Sequence, residues 1–549
     1  MLVRLLLLCF LPAVFSCSTN SESGNTADTA QITLQGLEQH IKVLASDEFQ
    51  GRKPFTEGEK KTIAYLEDQF RKIGLEPGNG SSFFQEVPMV EITAMTDSVM
   101  SITGKGNLTL RGYHDFTLNT ERTDSSIVWK NEDIVFAGFG IVAPEYGWND
   151  YEGLDVKNKI VLVLVNDPGF GSTDTSFFKG NEMTYYGRWT YKYEEAARQG
   201  ARGCFVIHNT VPAGYPFGVL QNSWHSAHLY LDERDKNVPH CEGIGWITRP
   251  ATERLFAAAG ISFEDHQDKA RKPGYKGMPL NLKASIAMQV KTKYDKSNNV
   301  IGKITGTKRP DEYIIYTAHW DHLGIGKQDA RGDSIYNGAL DNASGSAGLL
   351  ELAKAFASMD PKPERTVVFL AVTAEEQGLW GTAYYAQNPI YPKERTVANI
   401  NMDGLNPYGR ARDLMVVGYG QSEMEDYLAE IAKSVGRVVK PDNDPGKGSY
   451  FRSDHFWFAR IGVPALYIKT GEELIGKNSD ESLRLKSEYT QKYYHQPTDE
   501  FDKSLLNFEG GIDDLKLLFL VGKRLSMGDE WPKWKEGSEF KAVRESYVP

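Results

Sequence analysis

The sequence predicts an α/β protein, a mostly parallel sheet with helices on both faces, interrupted by an inserted β-rich domain. Three observations carry this. From about 290 to 525, strand-like apolar runs alternate with helical patterns, as in a parallel sheet covered on both sides. From 111 to 285 the runs are shorter and separated by many Gly, Pro, Tyr and Trp residues, which suits a separate β-rich unit. At 549 residues the chain is too long for one ordinary core, so two or three domains are expected.

Residues 1–17 read as an export signal, with Arg4 ahead of the apolar run 5–15 and Ser16-Cys17 closing it. A small residue directly before a cysteine, after the aliphatic Val14, resembles a bacterial lipoprotein signal. That resemblance implies cleavage before Cys17, lipidation of its thiol and a home in the cell envelope, on the periplasmic or surface face. The alternative is simple secretion, with Cys17 incidental. The run is shorter than the roughly 18 apolar residues of a spanning helix, so membrane association is expected through the lipid anchor only. Residues 18–30 are small and polar, a flexible tether.

Residues 31–110 form the first part of the main domain. A helix starts near Glu57 and carries Ile63, Leu66, Phe70 and Ile73 at spacings of three and four, until Gly74 stops it. Asp47 and Arg52, just before it, read as an ordinary salt-bridged loop.

The insert, 111–285, holds strand-like runs at 134–138 and 159–165, a helix over about 193–199 and a strand at 204–208. His225 and His228 could share a helix face, but no carboxylate at ligand spacing accompanies them. They read, with His208 and His240, as loop or core residues. Cys204 lies in an apolar run and reads as a buried free thiol. A disulfide to Cys241 is the alternative that an oxidising compartment permits.

The domain 286–527 includes a clear helix over about 423–435, with Met424, Tyr427, Leu428, Ile431 and Ala432 on one stripe and Gly436 as its stop. The tail 528–549 is polar and aromatic and suggests no role. A formal charge of -11 with no basic cluster excludes nucleic acid as a partner.

Five acidic or histidine motifs in the main domain stand where apolar runs stop: His319-Trp320-Asp321, Asp341-Asn342, Glu375-Glu376, Asp403-Gly404 and His495. Three directly follow the β-rich runs 313–318, 366–373 and 397–402. The carboxyl ends of parallel strands form the ligand crevice of such sheets, so these distant residues converge. Two imidazoles, several carboxylates and no cysteine suit zinc or a similar divalent ion.

There are more candidates than the three protein ligands of one catalytic zinc, and a carboxylate between two ions can bridge them about 3.5–4 Å apart. Asp341, in a polar Gly-rich turn, is the natural bridge. Asp321 can hold the second ring nitrogen of His319. Glu375 and Glu376 are adjacent, so their side chains diverge. One can bind metal while the other stays free as a general base.

The stretch from about 300 to 500 resembles the di-zinc aminopeptidases (metallopeptidase family 28, aminopeptidase Y and S type). The motifs are His319-x-Asp321, Asn337-Gly338-Ala339-Leu340-Asp341-Asn342-Ala343-Ser344-Gly345, Glu375-Glu376-x-Gly378, Asn401-x-Asp403, Ser453-Asp454-His455 and His495-x-x-x-Asp499. The resemblance implies the zinc-peptidase fold, peptide substrates with a free N-terminus and two zinc ions bridged by Asp341. His319 and Asp403 would complete one ion's site, and Glu376 and His495 the other's.

It also implies Glu375 as general base, Tyr450 as donor to the oxyanion, His455 as support for the pocket, and a cis peptide bond after Asp341. Leu44-Ala45-x-Asp47, Gly51-Arg52 and Gly74-Leu75-x-Pro77 fit the amino-terminal part of many members. Lys159-Ile160-Val161-Leu162-Val163 and the segment 196–204 resemble a protease-associated domain, a lid or access module without catalytic residues. On the same scaffold, a one-zinc glutaminyl cyclase or another metallohydrolase is the alternative, since a fold does not fix a reaction. A metal-free receptor would not need Glu375 and the intact ligands.

Replacing Cys17 with Ser is expected to release the protein from membranes or leave the precursor uncleaved. A mature N-terminus several residues beyond Cys17, with no lipid mass, would instead establish simple secretion.

Overall fold

The sheet that carries the site is built from strands with no exposed face. In a computed structural model that describes residues 28–548, every residue of Arg365–Val372 and Thr396–Asn401 is buried, as in parallel sheets covered on both sides. Arg309–His319 lies between them and pairs in parallel with each, and Thr396–Asn401 pairs in parallel with Ala465–Thr470. Antiparallel strands close both flanks, the end of Met278–Ile304 against Arg365–Val372 and Asp413–Val416 against Ala465–Thr470. The export signal, Cys17 and most of the 18–30 tether lie outside the described residues.

Strand alternation sorts the core into two layers. Ile314, Tyr316 and Ala318 pack under the helices Leu34–Leu44, Glu57–Ile73, Ser344–Ser358 and Glu509–Met527. Ile315, Val368 and Leu370 face the other way, against Tyr385 and Phe458 of the helices Trp380–Gln387 and His455–Arg460. The expected stop at Gly74 is present: it takes φ 90°, and its N–H closes onto the Phe70 and Arg71 carbonyls. The helix expected near 423–435 spans Met424–Ser434.

The insert has its own cores, one of them around Trp129, Phe136, Phe205 and Phe256. Its centre is parallel, with Gly203–His208 between Ile160–Leu164 and Gly243–Thr248. The helices Trp189–Arg198 and Arg249–Ala259 give it more α character than its sequence suggests. Its boundary also moves. Val90, Ile92, Ala94, Met100, Ile102 and Leu110 belong to the insert's core, not the peptidase core. Residues 84–96 pair antiparallel with 288–300 as one ribbon joining both cores, so the insert begins on the strand Phe84–Thr96, before residue 111.

Cys204 and Cys241 are buried free thiols. The tail has a structural role that its composition hid. The Trp534 indole donates to the Gly462 carbonyl at 2.8 Å, and Phe540 stacks on Tyr450 at 5.7 Å.

The insert's histidines are structural. His240 lies 2.8 Å from Glu121 and 3.0 Å from Glu233, and hydrogen bonds to these two carboxylates raise its pKa to about 9. A histidine raised above its unfolded value of about 6.5 contributes stability that is complete below that value and is lost as pH rises through the folded one. Wild type is therefore expected to melt above His240→Gln at about pH 6, with the gap closing by about pH 10. A gap independent of pH would contradict this.

Candidate metal centre

Three adjacent parallel strands deliver ligands at their carboxyl ends. His319 ends Arg309–His319, Glu375 and Glu376 follow Arg365–Val372, and Asp403 follows Thr396–Asn401. Asp341 comes from the turn Ala339–Ala343 ahead of the helix Ser344–Ser358, and its bond to Asn342 is cis, as the resemblance implied. Gly338, which opens this turn, takes φ 56°; a Cβ there would stand 2.0 Å from the Asp341 carbonyl oxygen. His495 follows the helix Ser479–Lys492.

All five expected ligands converge. His319 Nε2 is 3.4 Å from Asp341 Oδ1 and 3.3 Å from Asp403 Oδ1. His495 Nε2 is 3.2 Å from Asp341 Oδ2 and 3.1 Å from Glu376 Oε2. Asp341 therefore offers one oxygen to each side. Potential ligand atoms of His319, Asp341 and Asp403 lie within 4.8 Å of one another, as do those of His322, Asp341 and Glu376.

His322 was not expected from the sequence, although it follows Asp321 directly. Its Nδ1 sits 2.6 Å from Glu376 Oε1, and it shares the side of Asp341 and Glu376 with His495, whose Nε2 stands 3.2 and 3.1 Å from them. His322 thus steadies Glu376.

The electrostatics separate the paired glutamates. Burial raises the pKa of Glu375 well above the usual range; Asp403 and Glu376 add like charge, against the pull of His319. Burial and Asp341 would raise Glu376 too, but His495 and His322 hold it down at about 2. Asp341 is pulled well below its usual value, against burial, by hydrogen bonds from His319 and His495. Burial would lower both histidines, yet the surrounding carboxylates raise them well above 6.5. The two adjacent glutamates are thus driven to opposite proton affinities.

Four supports fix the ligands. Asp321 departs from its expected role. Its backbone carbonyl, at 3.1 Å, holds His319 Nδ1, while its carboxylate accepts the N–H groups of Glu375 and Glu376 at 3.0 and 3.4 Å. Asp499 accepts the N–H groups of Leu340 and Asp341, both at 3.1 Å. Asn342 joins the loops of Asp341 and Asp403, donating to the Met402 carbonyl and accepting from Gly404 N–H.

Arg52 is the fourth. It is fully buried and donates to the carbonyls of Leu44, Trp320 and Gly338 at 2.7, 2.8 and 2.9 Å. The Asp47–Arg52 loop is therefore not salt-bridged, because Asp47 instead accepts from Asn337 Nδ2. The amino-terminal segment clamps the turn that presents Asp341.

Two expectations for the other side of the pocket separate. His455 is buried against Tyr450 and Tyr467, and burial drives its pKa to about 3, as suits a neutral supporting ring. The Tyr450 hydroxyl is buried without a hydrogen-bond partner, and the charges acting on it are Glu539, Glu182 and Glu425 rather than carboxylates of the centre. Tyr494 lies in the field of Asp341, Glu376, Glu375 and Asp403 and stacks on His495 at 3.9 Å. Its position directly before His495 was the available signal.

The donor set fits a pair of divalent cations. Buried carboxylates from four segments face one another, a costly arrangement unless cations balance them. The Nε2 atom of His322 is buried without a hydrogen-bond partner. Nitrogen and carboxylate oxygen without thiolate suit zinc and similar ions. Among the described residues no other such cluster occurs.

Comparisons agree with this arrangement. Residues 299–515 match peptidase family M28. A probable zinc metalloprotease of Pyrenophora teres f. teres (strain 0-1) is 39% identical over 165 residues, covering 29% of this chain and 32% of that protein. The aminopeptidase NAALADL1 of Mus musculus is 32% identical over 139 residues, 24% of this chain and 17% of that protein. The chain thus spans about a third or less of these relatives' length. An aminopeptidase from Aneurinibacillus sp. strain AM-1 shares the fold, with a TM-score of 0.54 at 19% identity over 92% of this chain and 97% of that one. Sheet, ligand order and sequence match point the same way: residues 299–515, which carry every expected ligand, are similar to peptidase family M28.

Proposed function

We propose that the protein is an exported, zinc-dependent aminopeptidase that hydrolyses N-terminal residues from peptides and holds two zinc ions. The observation that carries this is Asp341 set between two nitrogen–carboxylate groups, beside a glutamate pair with opposite proton affinities. His319, Asp341 and Asp403 would hold one ion, and Asp341, Glu376 and His495 the other. When bound, the ions supply Lewis acidity that polarises the scissile carbonyl and acidifies a water.

Glu375 does the proton work. Its Oε2 lies 3.8 Å from His319 Nε2, close to the centre but outside either ligand group. It takes the proton of the attacking water and returns it to the departing amine. The Tyr494 phenol is raised well above its usual range, with the carboxylates of Asp341, Glu376, Glu375 and Asp403 acting on it, and stays protonated, so it, rather than Tyr450, is assigned as donor to the developing oxyanion. A one-ion cyclase reaction would leave the second ligand group without a task. Export with a lipid anchor at Cys17 rests on Arg4, the apolar run 5–15 and Ser16-Cys17. The protease-associated character of the insert rests on its sequence segments 159–163 and 196–204.

Purified protein is expected to hold about two zinc ions per chain, Asp341→Ala to lose both, and His319→Ala to weaken mainly one. Elemental analysis checks this. Full activity with a single tightly held ion would remove Asp341 as a bridge.

Glu375→Gln is expected to keep its metal and lower kcat by about 10²–10⁴-fold, the worth of a positioned base. Glu376→Gln should lose metal, because an amide is a poor zinc ligand. If metal content and kcat show the reverse pattern, the two roles are exchanged.

A further inference from the structure

Beside the centre, cationic side chains gather without carboxylate partners. The insert reaches the peptidase core here. Met183 N–H donates to the Pro445 carbonyl and Asn166 Nδ2 to the Gly446 carbonyl, both at 3.2 Å, and the Tyr185 ring lies 5.2 Å from Phe456.

Arg452, just beyond the turn Ser449–Phe451, spans the same junction. Its Nη2 donates to the Ala213 carbonyl at 3.3 Å, its guanidinium stands 5.5 Å from the Tyr215 ring centre, and its Nε is buried with no partner. Arg188 approaches from the insert, where it precedes the helix Trp189–Arg198. Among the described residues its guanidinium has no hydrogen bond or ion pair, only the Trp189 ring at 5.6 Å. Lys469 lies on the strand Ala465–Thr470 and is equally unpaired, 5.7 Å from the Tyr467 ring centre. Tyr467 in turn donates its hydroxyl to the Asp403 carbonyl at 3.1 Å.

The charge of Arg452 acts on both Arg188 and Lys469, and a carboxylate of the centre acts on each of those two. Burial and the charge of Arg452 lower Arg188 to about 10, offset in part by Tyr215, Tyr185 and Glu375. Burial lowers Lys469 as well, with Asp442 and Asp403 acting against Arg452 and Lys447. Like charges held together and half-buried are unfavourable unless an anion joins them. Guanidinium groups bind carboxylates as paired, charge-assisted donors.

We propose that Arg188, Arg452 and Lys469 form an anion subsite at the rim of the metal centre, which receives a carboxylate of the peptide substrate. The carboxylate comes either from an acidic side chain beside the scissile bond or from the C-terminus of a short peptide. Arg188 belongs to the insert, so the insert contributes to substrate choice as well as covering the site. The proposal rests on the peptidase reading, and its test separates the two.

Zinc-loaded full-length protein is assayed on matched pairs: Leu-Gly against Leu-Gly-amide, Leu-Glu-amide against Leu-Gln-amide, and Glu-Ala-amide against Gln-Ala-amide. In at least one pair kcat/KM is expected to favour the acid by about tenfold or more. That preference should shrink in Arg188→Gln and Arg452→Gln, survive in part in Arg188→Lys, and fall as salt is added. The favoured pair identifies the source of the carboxylate.

Equal rates in every pair, or a preference unchanged in both Gln variants, overturn the subsite. If a Gln variant does not fold, the salt dependence of the wild-type preference decides, and a preference indifferent to salt overturns it. If no peptide is cleaved, the peptidase reading fails, and calorimetric titration with the same pairs decides the subsite. Tighter binding of the acid, lost in the Gln variants, supports it, and equal binding overturns it.

Discussion

Asp341 offers its two carboxylate oxygens to two imidazoles on opposite sides, in a crevice where Glu375 and Glu376 are also packed away from water and Asp403 is half-buried. Carboxylates gathered in this way repel one another and lose hydration, so the fold must hold them by force and balance them with positive charge. Much of the surrounding structure serves that need. Arg52 brings a permanent cation beneath the turn but spends its hydrogen bonds on carbonyls, which fixes the backbone while leaving the carboxylates free. Asp499 and Asp321 accept backbone N–H groups of the two ligand turns. Each ligand is thereby anchored through its main chain, and its side chain stays available.

This division explains what could be read from the sequence. The convergence of the five candidate ligands was legible because parallel strands end in a common crevice, and a polar residue directly after an apolar run has nowhere else to go. The alternation of elements gave the sheet for the same reason. Roles that act through the backbone were not legible. Asp321 was expected to use its carboxylate on His319, yet its carbonyl does so. Arg52 looked like half of an ordinary ion pair, because nothing local reveals that Leu44, Trp320 and Gly338 present carbonyls to it.

Tyr450 and the insert boundary failed for a related reason. The position of Tyr450 in a family motif suggested a catalytic hydroxyl, but packing against Phe540 of the tail belongs to an aromatic cluster that no local pattern foretells. Residues 84–96 read as part of the main domain, because a ribbon shared by two cores has no compositional break. The charge of Glu375 acts on Arg188 of the insert, so the two units meet beside the centre.

Whether Asp341 bridges two ions is tested most directly by anomalous diffraction at the zinc edge from crystals of the zinc-loaded protein. Two peaks about 3.5–4 Å apart are predicted, one beside His319 and Asp403, the other beside Glu376 and His495, with an Asp341 oxygen on each. A single peak, or two peaks of which one lacks Asp341, would contradict it.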